Sequence, residues 1–384
     1  QIRIMRQFPF SFLEQPDAGG ATAFPDQSLA TWTSTEADAW LAYGASFATT
    51  STFGYGTTTT RIGSDFGTGV AKWLGGSLAN NGKIYTPPHV RSKWGIIDTT
   101  NDTVTESAAT VNGSNQGSVY DKISQQVIAF GDNGTVIDIS NDSATNISSG
   151  PPNRSCNPVQ GFVGNDIYTT KFVVGSAGIE KYNVSTGVTS AVSPTGDTVT
   201  LQGENGTLGR DGCMYMPSVS SGGGIMKYNP ATNVNTNLTV PGSEIFTTIV
   251  QHYNGYIYFL PQGTYTTLRW YDPSTSTWAG SYSWGSGFQT SNACIGLDGR
   301  IYCVTGQTQS TIKWYDPTAG THGNITISNS DSSYQGITMG ANGDLYLIPW
   351  TGSWFHKLAL TSGTGTPATN VVSQYNFGGR MCWG

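Results

Sequence analysis

Asn254 to Trp278, NGYIYFLPQGTYTTLRWYDPSTSTW, is the stretch that decides the fold. Asn254-Gly255 predicts a two-residue hairpin turn, because both central residues of such a turn need φ > 0. The β-branched and aromatic residues of Tyr256–Leu260 and Thr267–Tyr271 predict two strands. The second strand ends at Asp272-Pro273, where Asp caps its own turn and Pro presets φ. The stretch therefore contains two strands and two turns.

The same pattern recurs from about Ala71 onward with a period of roughly 44 residues. Such a period is typical of a repeat architecture. The first turn of the units falls at Asn81-Gly82, Asn165-Asp166, Asp211-Gly212, Asn254-Gly255, Asp298-Gly299 and Asn342-Gly343. Ser124–Gln126 holds the corresponding place in the second unit without the turn residues. The second turn falls at Asp98, Asp138, Asn183, Asn229, Asp272 and Asp316.

Each unit contains four strands: one before the first turn, one after it, one before the second turn and a Thr-rich fourth. Four antiparallel strands every 40–50 residues form one blade of a β-propeller. We therefore predict an all-β fold, a seven-bladed propeller over residues 69–384. Eight blades are the alternative, because Phe377–Trp383 falls where another inner strand would begin. In the seven-bladed ring this segment would close the circle against N-terminal strands.

Residues 1–68 do not follow the repeat, and we predict that they form an N-terminal anchor or lead-in segment. Gln1–Leu13 alternates basic and apolar residues and could lie as a strand along another subunit. Ser34–Ala48 has a possible N-cap and early acidic residues, which allow a short helix. An irregular lead-in packed on the propeller is the other interpretation.

The repeats resemble kelch-type propeller repeats, best at Asp298–Thr321 and Asn254–Trp278. The usual Gly-Gly after the second strand is absent, and Leu260-Pro261 stands there instead. The unit that begins at Asn81 resembles a diverged kelch variant found in phage structural proteins of the tail or fibre type. The resemblance implies the fold, and it implies activity only weakly because such propellers serve many functions.

Composition excludes several classes of protein. Charged residues make up only 11% of the chain, against about 25% in ordinary soluble domains. The formal net charge is −6 and no Lys/Arg cluster occurs, so we predict no nucleic-acid partner. No apolar run is long enough to predict a membrane span. The sequence predicts no cofactor.

The candidate binding residues lie on one face of the predicted ring. The short Asn-Gly and Asp-Pro turns share one face, and the longer, more varied loops share the other, where binding residues usually concentrate. Two of these loops, Pro87–Trp94 and Pro349–His356, belong to the first and seventh units and become neighbours when the ring closes. The residues we expect to stack on sugar rings or donate hydrogen bonds are Trp94, Trp350, Trp354, His89, Arg91 and His356. The alternative is that these tryptophans fill gaps between blades.

Catalytic patterns are poor, and we predict no catalytic residue and no metal site. The four histidines fall in different units without metal-ligand spacing. The repeated acids sit at turns, where Asp98, Asp272 and Asp316 serve the backbone. A glycosidase pair would need irregularly placed acids, and the candidates are Glu180, Glu204 and Glu244. Asp132-Asn133-Gly134 lacks the spaced ligands of an EF-hand.

The cysteines allow a sharper expectation. Five are present at irregular spacing, which is not a disulfide framework. A two-residue turn at Asp298-Gly299 would set Cys294 directly opposite Cys303, in a non-hydrogen-bonded pair with Cα atoms about 4.5 Å apart. A strained disulfide would then be allowed, and two free buried thiols are the alternative.

Three functions are compatible with the sequence. The first is a non-enzymatic virion component, a phage tail or fibre propeller that assembles through residues 1–68 and binds a host-surface glycan. The second is a secreted extracellular glycoprotein or lectin-like module. Its glycan acceptors would be the ten Asn-x-Ser/Thr sequons of the sequence, among them Asn101, Asn112, Asn133 and Asn324. The third is a polysaccharide-active enzyme. The partners expected are other virion or matrix proteins, a cell-surface glycan and further copies of the chain, in a virion or extracellular setting.

Overall fold

The structure is a computed structural model that describes residues 54–361, apart from 68, 70–71, 122–123, 132–133, 148–154, 164, 174–175, 199–205, 210, 219–223, 243, 253, 264, 286–289, 306–309 and 332. The expectations for Gln1–Leu13, Ser34–Ala48 and Phe377–Trp383 lie outside the described residues. In the described part of the chain, no helix has the length and apolar character needed to cross a membrane.

Seven antiparallel blades form the described part of the chain, and this confirms the predicted all-β, seven-bladed propeller. Two short strands precede the first blade, β1 (Gly54–Tyr55) and β2 (Thr60–Ile62). Blades one and two contain β3 (Ser77–Leu78), β4 (Lys83–Thr86), β5 (Gly95–Asp98) and β6 (Thr103–Glu106), then β7 (Asn115–Asp121), β8 (Gln126–Gly131), β9 (Thr135–Asp138) and β10 (Ser143–Asn146). Blade three contains β11 (Ser155–Val163), β12 (Asp166–Val173), β13 (Ser176–Asn183) and β14 (Val188–Val192).

The remaining blades follow the same order. After β15 (Thr195–Gly196), blade four contains β16 (Thr207–Leu208), β17 (Met214–Ser218), β18 (Gly224–Asn229) and β19 (Val234–Thr239). Blades five and six contain β20 (Phe246–Gln251), β21 (Ile257–Pro261), β22 (Thr267–Asp272) and β23 (Thr277–Ser283), then β24 (Thr290–Ile295), β25 (Ile301–Thr305), β26 (Thr311–Asp316) and β27 (Thr321–Thr326). A 3-10 turn at Ser328–Ser330 leads to β28 (Tyr334–Met339), β29 (Leu345–Pro349), β30 (Phe355–Leu358) and β31 (Leu360–Thr361).

The ring closes through a strand from the N-terminal side of the chain. Blade seven has the order β28–β29–β30–β2, with Thr60 opposite Lys357 and Ile62 opposite Phe355. β1 pairs with β31, so the two ends of the described chain lie side by side. Residues 54–62 therefore belong to the propeller, although the sequence placed them in the lead-in segment 1–68. Blade seven is therefore built from both ends of the described chain.

Burial falls from the axis of the ring to its rim. The inner strand β20 is buried along its whole length, whereas the outer strand β23 alternates exposed and partly buried residues. Leu260 and Leu268 of the middle strands are fully buried. Each such leucine contributes about 1.5–3 kcal/mol of hydrophobic free energy. The blades are thus held together mainly by the side chains between them.

The first turn of the blades differs from the two-residue turn that the sequence predicted. In blade six, Gly299 has φ +78°, but Asp298 is not among the residues with positive φ. The Gly299 N–H donates to the carbonyl of Gly296 (3.0 Å), and Gly296 pairs with Arg300. This is a three-residue loop, a type I turn followed by a left-handed glycine. The hairpin therefore has one more loop residue than expected.

That extra residue shifts the strand register and corrects the expectation for the cysteines. Cys294 pairs with Tyr302, and Cys303 pairs with Ala293. A shift of one residue turns a side chain to the other face of the sheet, so the two thiols point to opposite faces. Both are buried and free. Burial raises the pKa of each thiol above its usual value.

The Asn or Asp of the first turn has two structural functions. Asn254 Oδ1 accepts the N–H of Tyr256 (3.1 Å), and its Nδ2 donates to the Tyr258 hydroxyl (2.8 Å). The Asn amide also donates to the Tyr four positions later at Asn81–Tyr85 and Asn342–Tyr346. At Asp211–Tyr215 and Asp298–Tyr302 the direction is reversed, and the Tyr hydroxyl donates to the carboxylate. Each Tyr hydroxyl is thereby satisfied in a buried place.

The second turn agrees with the sequence prediction. Asp272 Oδ1 accepts the N–H of Ser274 (2.8 Å), and Ser276 takes φ +56° to turn the chain back. The same Asx bond occurs at Asp98 and Asp316. These repeated acids serve the backbone.

Candidate functional site

The two faces of the ring differ in their loops. We call the face with the first and second turns the turn face, and the opposite one, with the longer loops, the loop face. On the loop face the loops 87–94 and 350–354 meet between blades one and seven, as predicted. The rings of His89 and Trp350 lie 4.9 Å apart. Lys72 joins the two loops, because its N–H donates to the Trp350 carbonyl and its carbonyl accepts the His89 N–H (both 2.9 Å).

Four of the six predicted binding residues lie at this surface. His89, Arg91, Trp350 and Trp354 are partly exposed. Val90, between His89 and Arg91, is 66% exposed, which makes it the most exposed large hydrophobic residue in the described chain. The sequence analysis did not single out Val90, because an isolated valine in a loop carries no pattern.

The structure does not place Trp94 and His356 at this surface, because both side chains are fully buried. Trp94 packs with Val111 and Tyr120 in the core between blades one and two. It is the gap-filling residue that the alternative interpretation described. His356 lies on β30, where every residue except the partly exposed Lys357 is buried.

His356 is the centre of a hydrogen-bond chain that holds the closing strand. Its Nδ1 lies 2.7 Å from Thr59 Oγ1, and its Nε2 lies 2.9 Å from Asp331 Oδ2. Thr59 Oγ1 also accepts the N–H of Ser328 (3.1 Å), so its own hydrogen points to His356. Nε2–H of His356 therefore donates to Asp331. Burial lowers the pKa of His356, against the opposing effect of Asp331.

This Thr-His-Asp order resembles a nucleophilic triad, but its geometry serves structure. The Thr59 oxygen is buried and already accepts a backbone N–H, so no substrate carbonyl reaches it. Arg61 donates two hydrogen bonds to Asp331, at 2.6 and 2.9 Å. Burial alone would raise the pKa of Asp331, but the hydrogen bonds from Arg61 and His356 hold it below its usual value. The carboxylate is thereby neutralised and a poor activator of His356.

The arginines at the site lie against aromatic rings. The Arg61 guanidinium is 5.2 Å from the Trp354 ring centre, and the Arg91 guanidinium is 5.0 Å from that of Trp73. Arg91 also donates to Glu106 (2.6 Å) and to the carbonyl of Phe66. Both arginines are therefore oriented before any ligand arrives.

Lys72 supports the loops from below and was not expected from the sequence. Its side chain is 1% exposed, and Nζ donates to the carbonyls of Gly69, Thr351 and Gly352 at 2.8–3.1 Å. Burial, together with the nearby Arg91, lowers its pKa to about 8. A single lysine in an irregular connection gives no sequence signal for such a carbonyl cage.

The candidate acids of a glycosidase pair do not form one. Glu244 binds Arg269 through both oxygens, at 2.5 and 2.9 Å. Glu180 is buried on β13, and Glu204 lies outside the described residues. In the described part of the chain, no three His, Cys, Asp or Glu side chains lie close enough to hold a metal ion. Of the Asp132-Asn133-Gly134 stretch, only Gly134 is described.

Comparisons with known proteins support the fold. No protein-family model and no curated protein matches the sequence. A streptogramin B lyase structure is 13% identical, covers 80% of this chain and 98% of its own, and has a TM-score of 0.64. A virginiamycin B lyase from Staphylococcus aureus is 12% identical, covers 80% of this chain and 100% of its own, and has a TM-score of 0.63. The WD40 propeller domain of Doa1 is 9% identical, covers 82% of this chain and 99% of its own, and has a TM-score of 0.61.

At these identities the likeness shows the architecture alone. The chain is a seven-bladed β-propeller, similar in shape to the lyases and to WD40-type propellers. The likeness does not assign it to the kelch or phage group.

Proposed function

We propose that this chain is a non-enzymatic propeller of a virion, of the phage tail or fibre type, that binds a host-surface glycan through its loop face. The observation that carries the proposal is the separation of two surfaces. The paired strands β1 and β31, at the ends of the described chain, lie on the turn face, and the partly exposed Trp350 and Trp354 lie on the loop face. The resemblance of the repeats to diverged kelch repeats and the low content of charged residues add support.

The position of the chain ends follows from Tyr55. Its hydroxyl donates to the carbonyl of Gly343 (2.8 Å) and accepts the N–H of Leu297 (3.1 Å). Both partners are first-turn residues of neighbouring blades, so β1 and its partner β31 lie on the turn face. An attachment made through the adjoining chain segments leaves the loop face free.

The loop face offers what a sugar requires. The flat faces of Trp350 and Trp354 provide apolar area at low entropic cost, and such rings stack on the C–H faces of sugars. His89 beside Trp350 and the two oriented arginines supply hydrogen-bond donors at the rim. A neutral, hydroxyl-rich ligand suits a surface with few uncompensated charges.

A binding function fits the carboxylates better than hydrolysis does. Hydrolysis of a glycosidic bond generally needs two acids about 5–10 Å apart, one of them able to give up a proton. Glu106, Glu244 and Asp331 are each engaged with an arginine. Asp98, Asp272 and Asp316 are engaged in turns. We therefore favour binding over the polysaccharide-active enzyme.

A secreted glycoprotein or lectin-like module is the second candidate. Asn101, Asn112 and Asn324 of the sequons are exposed, so their side chains are accessible to glycosylation. Glycans attached to these residues in protein from its natural source would favour this function over a virion component.

A glycan array of bacterial surface oligosaccharides and animal glycans tests the proposal, with Trp350→Ala as the variant. We expect the wild type to bind a defined subset and the variant to bind it about fivefold more weakly, since an aromatic contact is worth roughly 1 kcal/mol. Trp314→Ala is the matched control, because Trp314 is also partly exposed but lies on β26 of blade six, with its ring against Arg300. The absence of binding to any glycan, or equal binding by the Trp350 variant, would contradict the proposal.

A further inference from the structure

Asn-Gly pairs are the positions of a polypeptide at which asparagine deamidates most readily. The Gly nitrogen attacks the Asn side-chain carbonyl carbon, a succinimide forms and ammonia leaves. Water then opens the ring to aspartate or isoaspartate. The chain contains six such pairs, which begin at Asn81, Asn112, Asn133, Asn205, Asn254 and Asn342. The structure describes the asparagines at 81, 112, 254 and 342.

Three of these four asparagines are held in first turns by the same set of bonds. Oδ1 accepts the N–H two residues later (3.1 Å), as at Asn81, Asn254 and Asn342. Nδ2 donates to the Tyr hydroxyl (2.8 Å). The Gly N–H donates to the carbonyl three residues earlier (3.0 Å). Attack on the side chain requires all of these bonds to break.

Asn112 stands outside this scheme. Its side chain is exposed, and within the described chain neither that side chain nor the Gly113 N–H has a hydrogen-bond partner. Its backbone is nevertheless fixed, because its N–H donates to Asn146 Oδ1 (2.7 Å) and its carbonyl accepts from Asn115 Nδ2 (3.2 Å). The reacting groups are therefore free while the surrounding chain is held.

We propose that Asn112-Gly113 is a site of spontaneous deamidation in the folded protein and that the turn asparagines are protected. The co-reactant is water, and the products are ammonia and an aspartate or isoaspartate at position 112. The modification adds one negative charge, and isoaspartate also adds one carbon to the backbone.

The site lies directly under the candidate binding loop. The Ser114 N–H donates to the His89 carbonyl. A Cβ at Gly113 would overlap the carbonyl oxygens of His89 and Arg91, so the two segments are in close contact. A lengthened backbone at position 112 therefore displaces the loop that holds His89. Deamidation would weaken ligand binding if the proposed function is correct, but the modification itself does not depend on that function.

Peptide mass spectrometry tests the inference on the full chain, produced in bacteria so that the sequon at Asn112 stays unglycosylated. Folded protein is held at mildly alkaline pH and sampled over time, and a second sample is held in urea. In the folded sample we expect Asn112 to convert about tenfold faster than Asn81, Asn254 and Asn342, because those three need local opening. In urea the four rates should become similar.

Asn112→Gln is the control variant, because glutamine keeps the amide but forms the cyclic imide slowly. The folded variant should release less ammonia than the folded wild type, and the difference should equal the amount of Asn112 that the wild type converts. Conversion of the turn asparagines at the rate of Asn112 in the folded wild type, or an unmodified Asn112, would overturn the inference.

Discussion

His252 is the residue at which blade five departs from the other first turns. The equivalent positions are Ala79, Gly209, Gly296 and Gly340. The His252 ring is 2% exposed; its Nδ1 accepts the Asn254 N–H (3.1 Å), and its Nε2 lies 2.8 Å from the Gly299 carbonyl of blade six. Because Nδ1 must accept, the ring is bound in its neutral form. Burial lowers its pKa to about 4, against the opposing effects of Gly299 and Asn254.

This histidine should make the propeller sensitive to acid. An unfolded histidine has a pKa of about 6.5, so between that value and about 4 the unfolded chain binds the extra proton. The free energy of unfolding that neutral His252 contributes is fully present above about pH 6.5. It is lost as the pH falls towards about 4, and the whole loss is roughly 3 kcal/mol. In urea titrations across this range, we expect His252→Gly, which restores the residue of other blades, to show a shallower loss of stability. The same slope in both proteins would contradict this account.

At the scale of the element, the closing strand β2 decides whether the ring stays shut. It is only three residues long, and it follows Thr59, which bridges His356 of blade seven and the Ser328 N–H. Arg61 adds the bond pair to Asp331. A short strand of this kind depends on its side chains, because three residues provide few backbone bonds.

Thr59→Val tests this dependence with a side chain of the same shape. The change leaves the buried His356 Nδ1 and the partly buried Ser328 N–H without their partner, and an unsatisfied buried group costs about 1–3 kcal/mol. We expect a clear loss of unfolding free energy and faster amide exchange in residues 54–62. Thr60→Val is the control, since Thr60 is exposed, and it should change stability by less than about 0.5 kcal/mol. Equal stability of the two variants would show that Thr59 does not hold the strand.

The repeated blade and its turns could be predicted from the sequence, whereas the features in which single residues or strands depart from the repeat could not. Asn254, Tyr258 and Asp272 recur in register, so the blade and its turns could be predicted from their spacing. The register at Cys294 could not, because a two-residue and a three-residue turn share the Asp-Gly signal. The burial of Trp94 and His356 and the role of β2 depend on contacts between distant parts of the chain. Such contacts leave no local pattern.

At the scale of the whole molecule, the propeller has two unlike faces. The turn face is regular, is built from Asx turns and holds the paired strands β1 and β31. The loop face holds His89, Val90 and Trp350, supported by the caged ammonium of Lys72. A ligand bound on the loop face and an attachment on the turn face therefore do not compete for the same surface.

Amide hydrogen exchange, measured with and without the glycan that binds most strongly on the array, tests this arrangement most directly. The account predicts slower exchange in residues 87–94 and 350–356 on binding, and no change at the first turns or in β1 and β31. Protection of the first turns or of the terminal strands, with the two loops unchanged, would contradict it.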